Sequence, residues 1–244
     1  MTIQEILKLF PNTTAAEWHQ HSKGGGWVQN TAFVSGDAQV FDNAWVSGNA
    51  QVFGDARVFG DARVSGNAQV FGNARVFGDA RVSGNAQVFD NAWVSGDAQV
   101  FGDARVSGNA QVSGNAQVFG NARVFGDARV FDNAWVFGDA RVSGNARVSG
   151  NAQVFGDARV FGNARVFGDA RVFGDAWDIS PLQIRGTRHM LTNSAHGQIT
   201  IGCCSHGFEY WKKHYRAIGI DYGYSAEQIQ EYGHHIAYIA KFGK

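Results

Sequence analysis

From residue 28 onward, apolar and polar positions recur with a period of six. Val28, Val34, Val40 and every sixth residue to Val172 are valine, and from Ala32 on an alanine stands two places before each of them. Between successive A-x-V triplets come Phe or Ser, then mostly Gly, then Asp or Asn, as in "FGDARVSGNAQV". Six residues do not fit the 3.6-residue turn of a helix, and they overrun a simple alternating strand. Within one unit, A-R-V or A-Q-V reads in–out–in and predicts a short strand. The Gly and Asp/Asn that follow tolerate a positive φ and predict a turn. Three strand–turn units close a triangular coil of eighteen residues. Equivalent positions then stack at the strand spacing of roughly 4.8 Å.

The array of residues 28–177 resembles the hexapeptide-repeat, left-handed parallel β-helix proteins, the fold of the hexapeptide acyltransferase superfamily. The resemblance covers about 60% of the chain. It implies a mainly β fold, a solenoid of about eight 18-residue coils. One departure is plain: the family's glycine directly follows the core aliphatic residue, whereas here Phe or Ser takes that place and Gly comes one later. The turn is therefore expected to differ, and a larger residue to be displayed.

Such a prism has open ends with unpaired strand edges and needs caps. Residues 1–27, with a short helix around Ile3–Phe10 stopped by Pro11 and with Trp18 and Trp27, are expected to form the N-terminal cap. The segment "GGG" before Trp27 reads as a flexible lead-in to the first coil. Residues 178–244 are expected to form a C-terminal α+β cap. Ile184 and Gly186 keep the register of the array and suggest one more partial coil. "LQIRGTRHML" and "GQITIG" read as strands, and "HGFEYWKKHYRAIG" as a helix with His206 near its start. A last helix begins at Ser225 with a capping box to Gln228. Its apolar residues Ile229, Tyr232, Ile236 and Ile239 suit a helix laid on the open end of the prism.

An 18-residue coil assigns each outward residue to one of three faces. Phe53, Phe71 and Phe89 fall on the first, Phe41, Phe59 and Phe77 on the second, and Ser47, Ser65 and Ser83 on the third. Near residue 95 the pattern changes. The third face then carries Phe101, Phe119, Phe137, Phe155 and Phe173, with Trp135 among them. The first face passes from Gln51, Gln69 and Gln87 to Arg105, Arg123, Arg141 and Arg159. In-register ladders of like residues stabilise a parallel stack. Five outward phenylalanines also make an apolar strip suited to a protein partner or to a dimer or trimer of the chain itself. Like charges stacked about 5 Å apart call for neutralisation, by an anion or by turn aspartates such as Asp103, Asp139 and Asp157. The cassette "FDNAW" at Phe41, Phe89 and Phe131 reads as a copied module, because the three copies do not share one face.

Charge and composition narrow the chemistry. A formal net charge of zero argues against a non-specific nucleic-acid or membrane-surface binder, and no apolar run approaches a membrane span. The start has no signal-peptide pattern and the two cysteines are adjacent, so a cytoplasmic home is expected. Outward Arg, Gln and Phe exclude an ice-binding face, and the stacked Asp61, Asp79 and Asp97 are read as diluted repulsion, not a calcium site. The resemblance implies trimers, acetyl-coenzyme A as donor and a histidine base. Yet residues 28–177 contain no histidine, so no motif position carries that role. Only end histidines remain, His206 or His196, for an acyltransferase reading. No metal site and no cofactor are expected: Cys203 and Cys204 lack paired C-x2-C partners and read as small buried residues. The expectation is a rigid binding or scaffold protein without a catalytic site. Its binding residues are the Phe101–Phe173 ladder, Trp135, the Arg105–Arg159 ladder, and Tyr210, Trp211 and Tyr215 of the tail.

Overall fold

The computed structural model describes residues 1–174, 176–177 and 180–244. Each A-x-V triplet forms a two- or three-residue strand that pairs in parallel with the strand eighteen residues away, as Arg105 with Arg123 and Val106 with Val124. The hydrogen bonds run coil to coil: Arg105 N–H donates to Ala122 O at 2.9 Å and Ser107 N–H to Val124 O at 3.0 Å. Three sheets result, of nine strands on the first face, eight on the second and ten on the third. The molecule is a β-solenoid of about eight stacked coils. Every valine from Val40 to Val172 and every alanine from Ala44 to Ala170 is completely buried. Each valine contributes about 1.5 kcal/mol by burial.

The corners explain the displaced glycine. The corner glycines from Gly36 to Gly168 hold φ between 61° and 70°, a region costly for other residues. They also stack: a Cβ built on Gly108 would stand 2.9 Å from the backbone nitrogen of Gly126. The three "FDNAW" cassettes place Asp42, Asp90 and Asp132 at this position, each with φ 58°. Their carboxylates accept the N–H groups of Gly60, Gly108 and Gly150, one coil on, at 3.1–3.2 Å. That bond offsets the strained backbone. One place further along, asparagines form directed ladders. Asn49 donates to Asn67, Asn67 to Asn85, and Asn85 to Asp103. An aspartate only accepts, so it ends the run.

The head covers part of the open end of the prism: Trp18–Gln20 forms the last strand of the third sheet, and Gly25 bridges to Phe41 at the edge of the second. Helix α1 (Ile3–Leu9), started by a capping box of Thr2 and Glu5, lies against the outward third face. Ile6, Trp18, Trp27 and Trp45 form a cluster of their own there, with Phe10 edge-on to Trp45 at 4.9 Å. Trp18–Gln20 pairs antiparallel with Trp27–Gln29. The glycine run proves to be a close-packed lid, not a flexible lead-in. Gly26 N–H donates to Val40 O at 3.0 Å, and a Cβ on Gly26 would meet Val40 Cγ1 at 2.7 Å. His21 Nδ1 accepts the Val40 N–H at 3.4 Å, which requires a neutral ring. Burial, first, and then His19 and Lys23 hold its pKa below the ordinary value.

At the other end the register of the array is lost where one more coil was expected. Arg165 N–H donates to Ser180 Oγ, and Phe167 N–H to Gln183 Oε1, in place of backbone carbonyls. Gln183 Nε2 returns a bond to Arg165 O at 3.1 Å, so one side-chain amide imitates a strand. Trp177 is buried in the core and Met190 packs against it. The tail is a four-stranded antiparallel sheet, Gln183–Arg185, Met190–Ala195, Gln198–Ile201 and Cys204–Gly207, with helices α2 (Phe208–Asp221) and α3 (Ala226–Phe242). The capping box of Ser225 and Gln228 starts α3 as expected. Its Tyr232, Ile236 and Ile239 pack on Leu191, Ile199 and Trp211 of the tail itself. The last helix therefore covers the small sheet, and the sheet, not the helix, meets the prism.

Candidate interaction surface

The five phenylalanines of the third face form a continuous stack at the corner that leads to the first face. Ring centroids from Phe101 to Phe155 lie 4.9–5.1 Å apart with planes within 8°, and Phe155–Phe173 closes the run at 5.3 Å and 28°. Each ring covers its neighbours, so the five are half-buried and present their edges. Trp135 is 40% exposed and stands edge-on to Phe119 at 6.3 Å. The cassette tryptophan Trp93 meets Phe77, the last ring of the second-face ladder, in the same way at 6.3 Å. Trp93, together with Phe125, Phe161 and Phe167, is more exposed than the ladder itself. The face assignment that singled out five rings gave these no weight. Their signal was an aromatic ring without a like neighbour eighteen residues away on both sides.

The arginine ladder stands in register beside this corner: Arg105, Arg123, Arg141 and Arg159 pair strand to strand on the first face and are exposed. Asp103, Asn121 and Asp139 line the same shallow groove as Arg105, Arg123 and Arg141. Among the described residues, no aspartate of the array forms an ion pair with these arginines. The strand turns the arginine outward and the corner turns the aspartate along the stack, where asparagine holds it: Asn121 donates to Asp139 at 3.0 Å.

In the tail the structure separates the expected binding residues. Tyr210 is exposed and stacks between His214 at 4.2 Å and His206 at 4.3 Å. Trp211 is instead a core residue, 3% exposed, its indole N–H donating to Ile199 O at 2.7 Å. It lies on the inner side of α2 and is not available to a partner. Tyr215 is half-buried against the same core, its hydroxyl accepting from Arg216 Nε at 3.1 Å. His206 belongs to the strand Cys204–Gly207, not to the helix start, where Gly207 is the cap. His196 is exposed, edge-on to Trp177 at 6.3 Å.

The two cysteines are not the buried pair the sequence suggested: Cys203 is exposed and Cys204 half-buried. They border a cavity of about 50 Å³ between the small sheet, α2 and α3, with His189, Tyr222 and Tyr224 at the same site. Tyr224 is pushed up to about 12, by burial first and then by Tyr232. Tyr232 ties the site together, its hydroxyl donating to His189 O at 2.7 Å and accepting the Arg188 N–H at 3.1 Å. No group of three His, Cys, Asp or Glu side chains among the described residues is placed to hold a metal ion.

With the coil geometry established, comparison with known proteins places the array. It is similar to the YdcK beta solenoid repeat. Residues 50–66, 68–84, 80–96, 98–114, 116–130, 122–138, 140–154 and 152–168 each match that family's repeat, together a little under half of the chain. The matched stretches span coils on all three faces and stop short of both caps. The matches lie within the prism, and the head and tail lie outside them. No curated protein matches the chain. Among the described residues, no helix is long and apolar enough to cross a membrane.

Proposed function

We propose that this protein is a rigid binding rod that acts by protein–protein association through the Phe101–Phe173 corner, a second copy of the chain being its partner. The observation that carries this reading is the ladder's regular pitch, 4.9–5.1 Å over three steps and 5.3 Å at the fourth. A partner meets every ring at once only if it repeats with the same pitch, and another copy does so by construction. Phe137 is the middle ring. A two-fold axis there sets Phe101 against Phe173 and Phe119 against Phe155, the self-complementary arrangement of a symmetric dimer. Trp135 adds an exposed aromatic anchor beside the axis. The Arg105–Arg159 column and its aspartates supply a polar rim of both signs.

Light scattering on a sizing column tests this with wild type and Phe137→Asp. A dimer that falls to monomer on mutation, with unchanged circular dichroism, supports the interface. A wild-type monomer overturns self-association. A trimer that survives the mutation, and whose melting temperature rises with acetyl-coenzyme A, favours the acyltransferase reading with His206 or His196 as base.

A further inference from the structure

The chain's two thiols stand side by side at the mouth of the tail cavity, although neighbouring residues of a strand point to opposite faces. The hairpin turn is the reason. Ile201 pairs with Cys204, so Gly202 and Cys203 are its two central residues, and Gly202 has a φ of +55°. Positive φ at the first central residue is what a glycine-led hairpin turn requires. Cys203 is thereby swung back over Cys204, and the two Sγ atoms come within 3.9 Å.

That separation has a chemical meaning. With metal–sulfur bonds of about 2.3 Å, two sulfurs 3.9 Å apart subtend about 116° at one ion. The turn brings the two adjacent cysteines to a chelating separation. Tyr222 lines the same cavity as Cys203 and Cys204. Tyr222 is 51% exposed, so the thiols are reached from solvent. Arg188 donates two bonds of 3.0 Å to the carbonyls of Tyr222 and Gly223, and its guanidinium lies 4.7 Å from the Tyr224 ring. It sets a fixed positive charge in the same segment as Tyr222. The His189 ring lies over the turn, with Cδ2 3.4 Å from where a Cβ of Gly202 would be.

We propose that Cys203 and Cys204 form a dithiolate site for a soft monovalent metal ion, copper(I), with an exogenous molecule as third ligand. Thiolates select soft ions. The absence of a third His, Cys, Asp or Glu ligand among the described residues disfavours zinc, whose structural sites want four. Binding exchanges two thiol protons for one cuprous ion and leaves one negative charge in the neighbourhood of Arg188. Affinity therefore rises with pH.

The test is an anaerobic titration of the full chain with copper(I) in competition with bicinchoninate, read by chelator absorbance and by the thiolate-to-copper charge-transfer band. One equivalent is expected. Cys203→Ser and Cys204→Ser should each weaken binding by more than the roughly 10–100-fold typical of an outer-shell change. Cys203 is exposed and Cys204 half-buried, and circular dichroism checks that the variants fold. Copper that stays wholly with bicinchoninate overturns the site. So does binding that survives either serine substitution, or a zinc affinity at pH 7 exceeding that for copper(I).

Discussion

The prism and the tail obey different rules although they adjoin. In the prism the buried valines and alanines stack on copies of themselves one coil away, so Val118 lies between Val100 and Val136. Stability is a sum of near-identical interfaces between neighbours. In the tail no contact recurs: Trp211 meets Ile199, Tyr232 meets His189, and Asn193 clasps the backbone of Lys244 from both its amide atoms. The groups that bear reactive chemistry, both thiols and six of the eight histidines, stand in the tail. Repetition gives shape and pitch. Singular contacts give a place where one arrangement of groups exists only once.

The contrast can be broken most severely from within the prism. Val118→Asp buries a carboxylate with no partner, and a loss beyond about 4–5 kcal/mol is expected. Chemical denaturation should show the coils around it melting, with the tail's own transition retained. Trp211→Ala should do the reverse. It removes a buried indole at a cost of about 3–5 kcal/mol, and hydrogen exchange should rise in α2, α3 and the small sheet while the coils before residue 160 stay protected.

A smaller effect separates steric from conformational demands at the corners. Gly108→Ala should cost about 1–2 kcal/mol for the left-handed backbone, plus the clash with Gly126 N. Gly108→Asp should cost less than Gly108→Ala, because a carboxylate there can accept the next coil's N–H as Asp90 does. Equal melting temperatures for the two variants would refute that account. The smallest effect at neutral pH concerns titration in the tail. Glu231 is held below the ordinary 4.5 by its bond with the Thr187 hydroxyl first, so its contribution is whole above pH 4.5 and is lost as pH falls below it. Tyr224, raised to about 12, contributes fully below pH 10 and loses that contribution as pH climbs from 10 through 12. Tail melting followed by Trp211 fluorescence should therefore decline at both extremes, and Glu231→Gln should flatten the acid limb.

The prism was legible in the chain because its physics is local and repeated. Valine at every sixth place, glycine at the corner and like residues eighteen apart left one way to close a coil, and the faces followed by counting. The Phe and Arg ladders were placed correctly for the same reason. What lay hidden depended on unrepeated contacts. Nothing in "HGFEYWKKH" tells which side of α2 meets the sheet, so Trp211 was taken for a surface residue. The glycine run before Trp27 carried no sign that Val40 lay beneath it. Gln183 imitating a strand is a side-chain event at a place where the register itself suggested more backbone. The Gly-Cys turn was readable in principle, since two apolar runs flank it, but the side-by-side thiols depend on the sign of one φ.

The eighteen-residue stacking rule also sets a grammar for how such a gene can change length. Gain or loss of three hexads leaves every later residue on its face, whereas gain or loss of one rotates the whole downstream surface by a third of a turn. The serine corners fall at Ser47, Ser65 and Ser83, each eighteen on from the last, and then at Ser95, only twelve further. A single dropped hexad leaves that interval. By this accounting, one slip of the copying register moves the serine corner from the third face to the second at Ser95 and Ser113 and brings phenylalanine to the third at Phe101.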